Sequence, residues 1–188
     1  ALDDNTKLDV EKVQAFLERH QGKQILVFGF TYLIWQKLYK QLKEAGIRLD
    51  LSNAILIHGG GWKKLKNEAV SEEMFRAGLY ETCCLKKISN YCGMAEQTGG
   101  IYIECEHHHF HASLFSEIMM RNLQDFSICQ IGEEGVIQVM TPLALSFPGH
   151  NLLTEDKGVL LGVDDCPCGR KGKYFKLTGR MQRAEIRG

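Results

Sequence analysis

Two short apolar runs dictate what this chain can become. Residues 24–30 and 54–58 are too short for helices and are each followed by a turn signal or an amphipathic stretch. Each reads as a short buried strand, and residues 87–91 give a third strand candidate. Between them lie helical patterns. Asp9 is placed to cap a helix with an apolar stripe of Val10, Val13, Phe16 and Leu17. A second helix is expected over about 32–45, with Gly46 as its stop. Ser71 is placed to cap a third, with Glu72 and Glu73 in its first turn and Val70 and Phe75 at hydrophobic-staple positions. Repeated βα units imply a parallel sheet flanked by helices, in which ligands sit beyond the carboxyl ends of the strands. The loops after His58 and Tyr91 are therefore the first places to look for a site.

The second half has a different texture. Residues 101–105, 117–120, 127–131, 136–140 and 158–163 are short strand candidates, several of them separated by Gly, Pro and Asp turn signals. They suggest a β-rich lobe, in the manner of a distorted barrel. The expected division is an α/β lobe over 1–98 and a β-rich lobe over 99–188, with the border near Gly99-Gly100.

Charge narrows the function. Lys plus Arg and Asp plus Glu number 23 each, which offers no broad nucleic-acid footprint. The longest apolar run, 25–30, is too short to cross a bilayer. No signal peptide is visible, and Ala1-Leu2-Asp3-Asp4 reads like a cut inside a longer protein. Seven cysteines, an odd number, argue against a disulfide framework and for reduced thiols in a cytoplasm.

Four segments have the makings of chemistry, each with a plainer alternative. Gly59-Gly60-Gly61 follows a strand, where glycines let the backbone approach a ligand, but an ordinary strand-to-loop turn has the same composition. Its spacing is not that of a P-loop. Tyr91-Cys92-Gly93-Met94-Ala95-Glu96-Gln97 follows the next strand. Glu96 there is placed to hold Mg²⁺ beside a triphosphate, or is simply a solvated loop residue. In Leu153-Thr154-Glu155-Asp156-Lys157-Gly158, Asp156 is a candidate acceptor for ribose hydroxyls, and a plain turn is the alternative. Cys105, with His107, His109 and His111 after it, and the pair Cys166 and Cys168 make a zinc ligand set, against a surface His run plus two thiols. In an extended strand Cys105 and these three histidines would share one face.

The order of these segments resembles the adenylate-forming enzymes. Ile57-His58-Gly59-Gly60-Gly61-Trp62-Lys63, Cys92-Gly93-Met94-Ala95-Glu96-Gln97, Leu153-Thr154-Glu155-Asp156, Cys166-Pro167-Cys168-Gly169-Arg170 and Gly179-Arg180 follow one another as in that superfamily. The closing segment, residues 179–188, looks most like the bacterial acyl-protein synthetases, and the Cys-Pro-Cys-Gly segment is also similar to phenylacetate–CoA ligases.

The resemblance implies ATP and Mg²⁺ as cofactors, a carboxylic (fatty) acid substrate, an acyl adenylate, and transfer of the acyl group to a thiol on an acyl-accepting reductase or carrier protein. By position it implies that Tyr91, Cys92, Gly93 and Met94 lie against the nucleotide and that Glu96 binds Mg²⁺. Cys92 stands where the family has an adenine-stacking aromatic and Ala95 where it has Thr, and Tyr91 is the alternative stacking residue. It further implies that Asp156 and Arg180 bind the ribose, that Gly59, Gly60 and Gly61 border adenine and the acyl group, and that Cys105, His111, Cys166 and Cys168 hold Zn²⁺. No Ser/Thr/Gly-rich phosphate loop or lid lysine is found, and Lys63 and Lys64, the candidate substitutes for that lysine, read more simply as solvated lysines after a turn, so the chain alone is expected to be inactive. The rival readings are a CoA ligase and a zinc-held interaction module without catalysis.

Overall fold

The computed structural model describes residues 2–3, 6–62, 67–97, 100–145 and 148–181. The chain divides into two compact units, residues 1–90 and 91–188. Lys63, Lys64 and residues 182–188 lie outside the described residues.

In the first unit, α1 (Val10–Arg19) starts where Asp9 accepts the Lys12 N–H at 2.9 Å. Strand β1 (Ile25–Phe30) runs parallel to β2 (Ala54–Gly59), with Ile25 opposite Ala54 and Phe30 opposite Gly59. β2 in turn neighbours β3 (Lys87–Gly93), which begins in this unit and ends in the next. The helix expected after β1 is a run of three pieces: α2 (Thr31–Leu33), a π-helical stretch (Ile34–Lys40) and α3 (Gln41–Ala45). Gly46, at φ 66°, closes the run in the left-handed conformation that glycine takes without a Cβ clash. α4 (Glu72–Cys83) begins where Ser71 Oγ accepts the Met74 N–H, with Val70 packed on the core that encloses Phe75.

Leu42, Leu56, Phe75 and Leu79 form the centre of that core, each no more than 1% exposed. Taking one such side chain out of water contributes about 1.5–3 kcal/mol. The expectation that β1 is fully buried is corrected: its residues alternate between half-buried and exposed, and Leu26 and Phe28 are both 64% exposed. Only the face bearing Ile25 and Val27 packs on the core.

The second unit is antiparallel. After β3 the spatial order is β4 (Ile101–Glu104), β5 (Phe110–His111), β9 (Lys173–Arg180), β8 (Asn151–Val163), β7 (Glu134–Met140) and β6 (Glu117–Arg121). Its core sets Ile118, Met120, Val139, Phe110 and Phe175 together, with Tyr102 edge-on to Phe175 at 5.5 Å. Residues 127–131, expected as a strand, make only an isolated bridge between Ile128 and Arg121. Residues 151–157 are the first half of the long β8 rather than a turn, and β8 changes register against both neighbours. The extended reading of 105–111 is corrected as well. Cys105 N–H donates to the His109 carbonyl at 2.8 Å and His108 sits at φ 60°, so the segment is a tight hairpin between β4 and β5. No helix among the described residues is long and apolar enough to cross a membrane.

Candidate functional site

The glycine turn leaves the carboxyl end of β2 in the first unit. Gly59 is buried, while Gly60 (φ 70°) and Gly61 are exposed. A Cβ on Gly60 would meet the Phe30 ring at 3.2 Å, in a backbone conformation that side chains disfavour. The residue before the turn, His58, is 1% exposed and lies 4.8 Å from the Phe75 ring. Its Nδ1 is 2.9 Å from Thr31 Oγ1, which also reaches the Gly59 carbonyl at 3.2 Å.

Burial lowers the His58 pKa from 6.5 to about 4, with Glu72 pulling upward and Arg76 downward. The sign of the pH effect follows. The unfolded chain takes a proton on this ring near pH 6.5, and the folded chain only near 4. The stability tied to neutral His58 is therefore complete above pH 6.5 and falls with pH through that window. The full loss, on the order of 3 kcal/mol, is reached near pH 4. Urea midpoints followed by tryptophan emission should show this slope in the wild type and lose it in His58→Asn. An unchanged slope in the variant would remove His58 as its origin.

The loop after β3 belongs to the second unit. Cys92 pairs with Tyr102, and its side chain packs on the core, as does that of Met94. Strand alternation turns Tyr91 and Gly93 to the opposite face. Glu96 is exposed. Gln97, which sequence reasoning gave no role, anchors the loop: it is 2% exposed, and its Nε2 donates to the carbonyls of Val139 (3.3 Å) and Gly149 (2.9 Å). A glutamine beside a loop carboxylate was the signal available for it.

Strands β8 and β9 bring Asp156 and Arg180 into register as direct partners. Arg180 Nε lies 3.1 Å from Asp156 Oδ1 and its Nη2 3.4 Å from Glu155 Oε2. Thr154, 7% exposed, braces this point, its hydroxyl accepting the Asp156 N–H at 3.1 Å. Burial raises the Asp156 pKa against the pull of Arg180. Cys92 is close enough to feel Asp156: burial, then that negative charge, pushes its thiol up to about 12. The turn Gly59–Gly61 belongs to the first unit.

A second constellation lies at the tips of two hairpins. β5 pairs with β9, His111 opposite Tyr174, which sets the β4–β5 turn beside the β8–β9 turn. Cys105, His111, Cys166 and Cys168 converge there, their ligand atoms all within 4.8 Å of one another. Cys105 Sγ lies 4.0 Å from Cys166 Sγ, and His111 Nε2 lies 3.4 Å from Cys168 Sγ. Ideal zinc bond lengths give a tetrahedron with S···S edges of about 3.8 Å and S···N edges of about 3.6 Å. The four groups therefore fit a metal of that kind with little rearrangement.

His109 is the neighbour, its Nδ1 3.4 Å from Cys166 Sγ, and Tyr174 stacks on both His109 (5.0 Å) and His111 (5.7 Å). Burial, and then Arg170, lowers the pKa of His111, keeping it in the neutral form that ligates. Among the described residues its buried Nδ1 has no partner, a cost that coordination through Nε2 has to offset. Burial also pushes the Cys166 thiol up to about 11. Cys168 moves the other way: burial raises it, but the Arg170 N–H and the neighbouring thiols outweigh that.

Comparison with known proteins gives one consistent picture. The model of the acyl-protein synthetase family, LuxE, matches residues 3–188. The long-chain-fatty-acid–luciferin-component ligase of Aliivibrio fischeri is 26% identical over 193 residues, which is 98% of this chain and 50% of that protein. Among solved structures, a long-chain-fatty-acid–CoA ligase from Archaeoglobus fulgidus superposes with a TM-score of 0.66 at 14% identity, covering 95% of this chain and 38% of that one. An open conformation of 2-hydroxyisobutyryl-CoA ligase, in complex with 2-HIB-AMP and CoA, gives a TM-score of 0.69 at 16% identity, covering 92% and 36%. The structural likenesses establish the fold. The chain spans about half the length of the curated relative it matches.

Proposed function

Because this chain belongs to the LuxE acyl-protein synthetase family, we propose that it forms part of an enzyme that activates a fatty acid with ATP as acyl-AMP and passes the acyl group to a protein thiol. The carboxylate oxygen attacks the α-phosphorus, the bond to pyrophosphate breaks, and a thiolate later displaces AMP from the acyl carbon. The observation that carries this reading is the cross-strand pairing of Asp156 with Arg180 on the second unit.

The Asp156 carboxylate accepts hydrogen bonds from the ribose hydroxyls, and Arg180, braced by Glu155 and Asp156, fixes its orientation. Tyr91, Cys92, Gly93 and Met94 form the edge against the base, and Glu96, exposed on a loop pinned by Gln97, holds Mg²⁺. Magnesium supplies charge neutralisation at the phosphates. Gly59, Gly60 and Gly61 offer backbone N–H groups to the nucleotide or the acyl group. Cys105, His111, Cys166 and Cys168 hold a structural Zn²⁺. The acceptor is an acyl-accepting reductase or carrier protein. Seven free thiols suit the reducing cytoplasm, where we place the enzyme. Family membership favours this over acyl transfer to CoA or a non-catalytic module.

The test is acid-dependent pyrophosphate exchange by the intact polypeptide. Asp156→Ala should weaken ATP binding roughly ten- to a hundred-fold, as losing a hydrogen bond to a charged group costs about 1.5–3 kcal/mol. Glu96→Gln should mainly slow exchange. Wild-type behaviour in both variants would show that the nucleotide lies elsewhere.

A further inference from the structure

A histidine is an expensive choice at position 58. The ring is enclosed beside Phe75, where an apolar side chain would leave no polar atom behind, and its Nε2 has no hydrogen-bond partner among the described residues. The use of the other ring nitrogen explains why it is there. Thr31, the first residue after β1, places Oγ1 2.9 Å from His58 Nδ1 and 3.2 Å from the Gly59 carbonyl. A hydroxyl has one proton, and a carbonyl only accepts. The Thr31 proton therefore goes to Gly59, and His58 Nδ1–H must donate to Oγ1. The tautomer follows from the geometry: proton on Nδ1, bare lone pair on Nε2.

We propose that His58 is a positioning residue, acting through Thr31 to clamp the Gly59 carbonyl and so fix the backbone of the exposed turn at Gly60 and Gly61. The clamp ties the carboxyl ends of β1 and β2 together, where ligands of parallel sheets bind. It deepens the reading of this turn as nucleotide- or acyl-binding and rests on it for its purpose, though not for its existence. Fixed N–H groups need no reorganisation when a ligand arrives.

Nuclear magnetic resonance of the 188-residue chain tests this directly. Long-range proton–nitrogen correlations of the His58 ring should show a proton on Nδ1. Order parameters of the Gly60 and Gly61 amides should be near the rigid value of about 0.85 in the wild type and fall below about 0.6 in Thr31→Val and His58→Phe. His58→Asn, whose amide nitrogen takes the place of Nδ1, should restore them. Unchanged Leu56 and Leu79 signals confirm an intact core, and Thr31→Val, being isosteric, carries the test if His58→Phe does not fold. A proton on Nε2, or a turn that stays rigid in Thr31→Val, overturns the clamp. Adding Mg-ATP separates the two ideas. Shifts at Gly60 and Gly61 that weaken at least tenfold in Thr31→Val support both. A loosened turn in Thr31→Val with no response of the wild type to Mg-ATP supports the clamp and overturns the nucleotide's placement at this turn.

Discussion

Cys166→Ser should empty the proposed zinc site and loosen the hairpin tips of the second unit, the largest effect expected from one substitution in this chain. Cys166 is 5% exposed and stands between Cys105 at 4.0 Å and His109 at 3.4 Å. Structural zinc in small peptides is worth roughly 10–16 kcal/mol of apparent binding energy. The second unit has an apolar core of its own around Phe175 and Ile118, so only part of that binding energy is expressed as folding stability. Even a third of it, roughly 3–5 kcal/mol, would bring a domain of ordinary stability to the edge of unfolding. Metal analysis should find about one equivalent of zinc in the wild type and less than a tenth in the variant. Both tryptophans, Trp35 and Trp62, lie in the first unit. A melt in circular dichroism with little change in tryptophan emission would thus place the loss in the second unit. Wild-type protein with under a tenth of an equivalent, and unchanged melting after chelation, would sink the site.

Phe75→Ala should cost the first unit about 3–5 kcal/mol, the range for a buried phenylalanine cut to alanine in a core that cannot collapse. Phe75 is 1% exposed. Its ring lies 5.8 Å from Trp35, 6.5 Å from Trp62 and 4.8 Å from His58. Removing it leaves a hole lined by the rings of Trp35, His58 and Trp62. Urea unfolding read by tryptophan emission reports this directly, because both indoles border the hole. A loss below about 1 kcal/mol would mean that Trp35 or Trp62 moves in to fill it.

The first unit was the more legible half in the sequence. Apolar runs too short for a helix mark β1 and β2, and Ser71 with Val70 and Phe75 marks the start of α4. The π-helical stretch over Ile34–Lys40 has no residue signature, and its pattern is that of ordinary helix. In the second unit polarity hid two elements. Lys173–Arg180 carries three cations in eight residues, and Thr154 to Lys157 look like a turn. Both are strand because distant partners pair with them, β8 between β7 and β9, and β9 along β8 and with β5 at Tyr174 and Phe175, a fact no local pattern contains. The opposite error occurred at 127–131, where apolar residues had no partner strand to complete.

The site divides in the same way. The close pair Cys166 and Cys168 was plain, whereas the place of each histidine depends on the left-handed His108 turning the chain back. Gln97, Thr154 and Tyr174 were missed because each acts through a residue distant in sequence or through backbone geometry.

The pairing of β5 with β9 has a consequence for the order in which the chain acquires structure. Phe110 and His111 must wait for Phe175 and Tyr174, more than sixty residues later, before their strand is complete. The contacts of β1 with β2 span about half that separation, with a helical run between them. Loop closure grows costlier with separation, and chains fold from the end made first. On a ribosome the first unit can therefore settle while β5, paired with β4 on one side, still lacks β9 on the other. For that interval Cys105 and the histidines after it are a nascent hairpin without Cys166 and Cys168, and the four-ligand cluster becomes available only when the β8–β9 turn emerges.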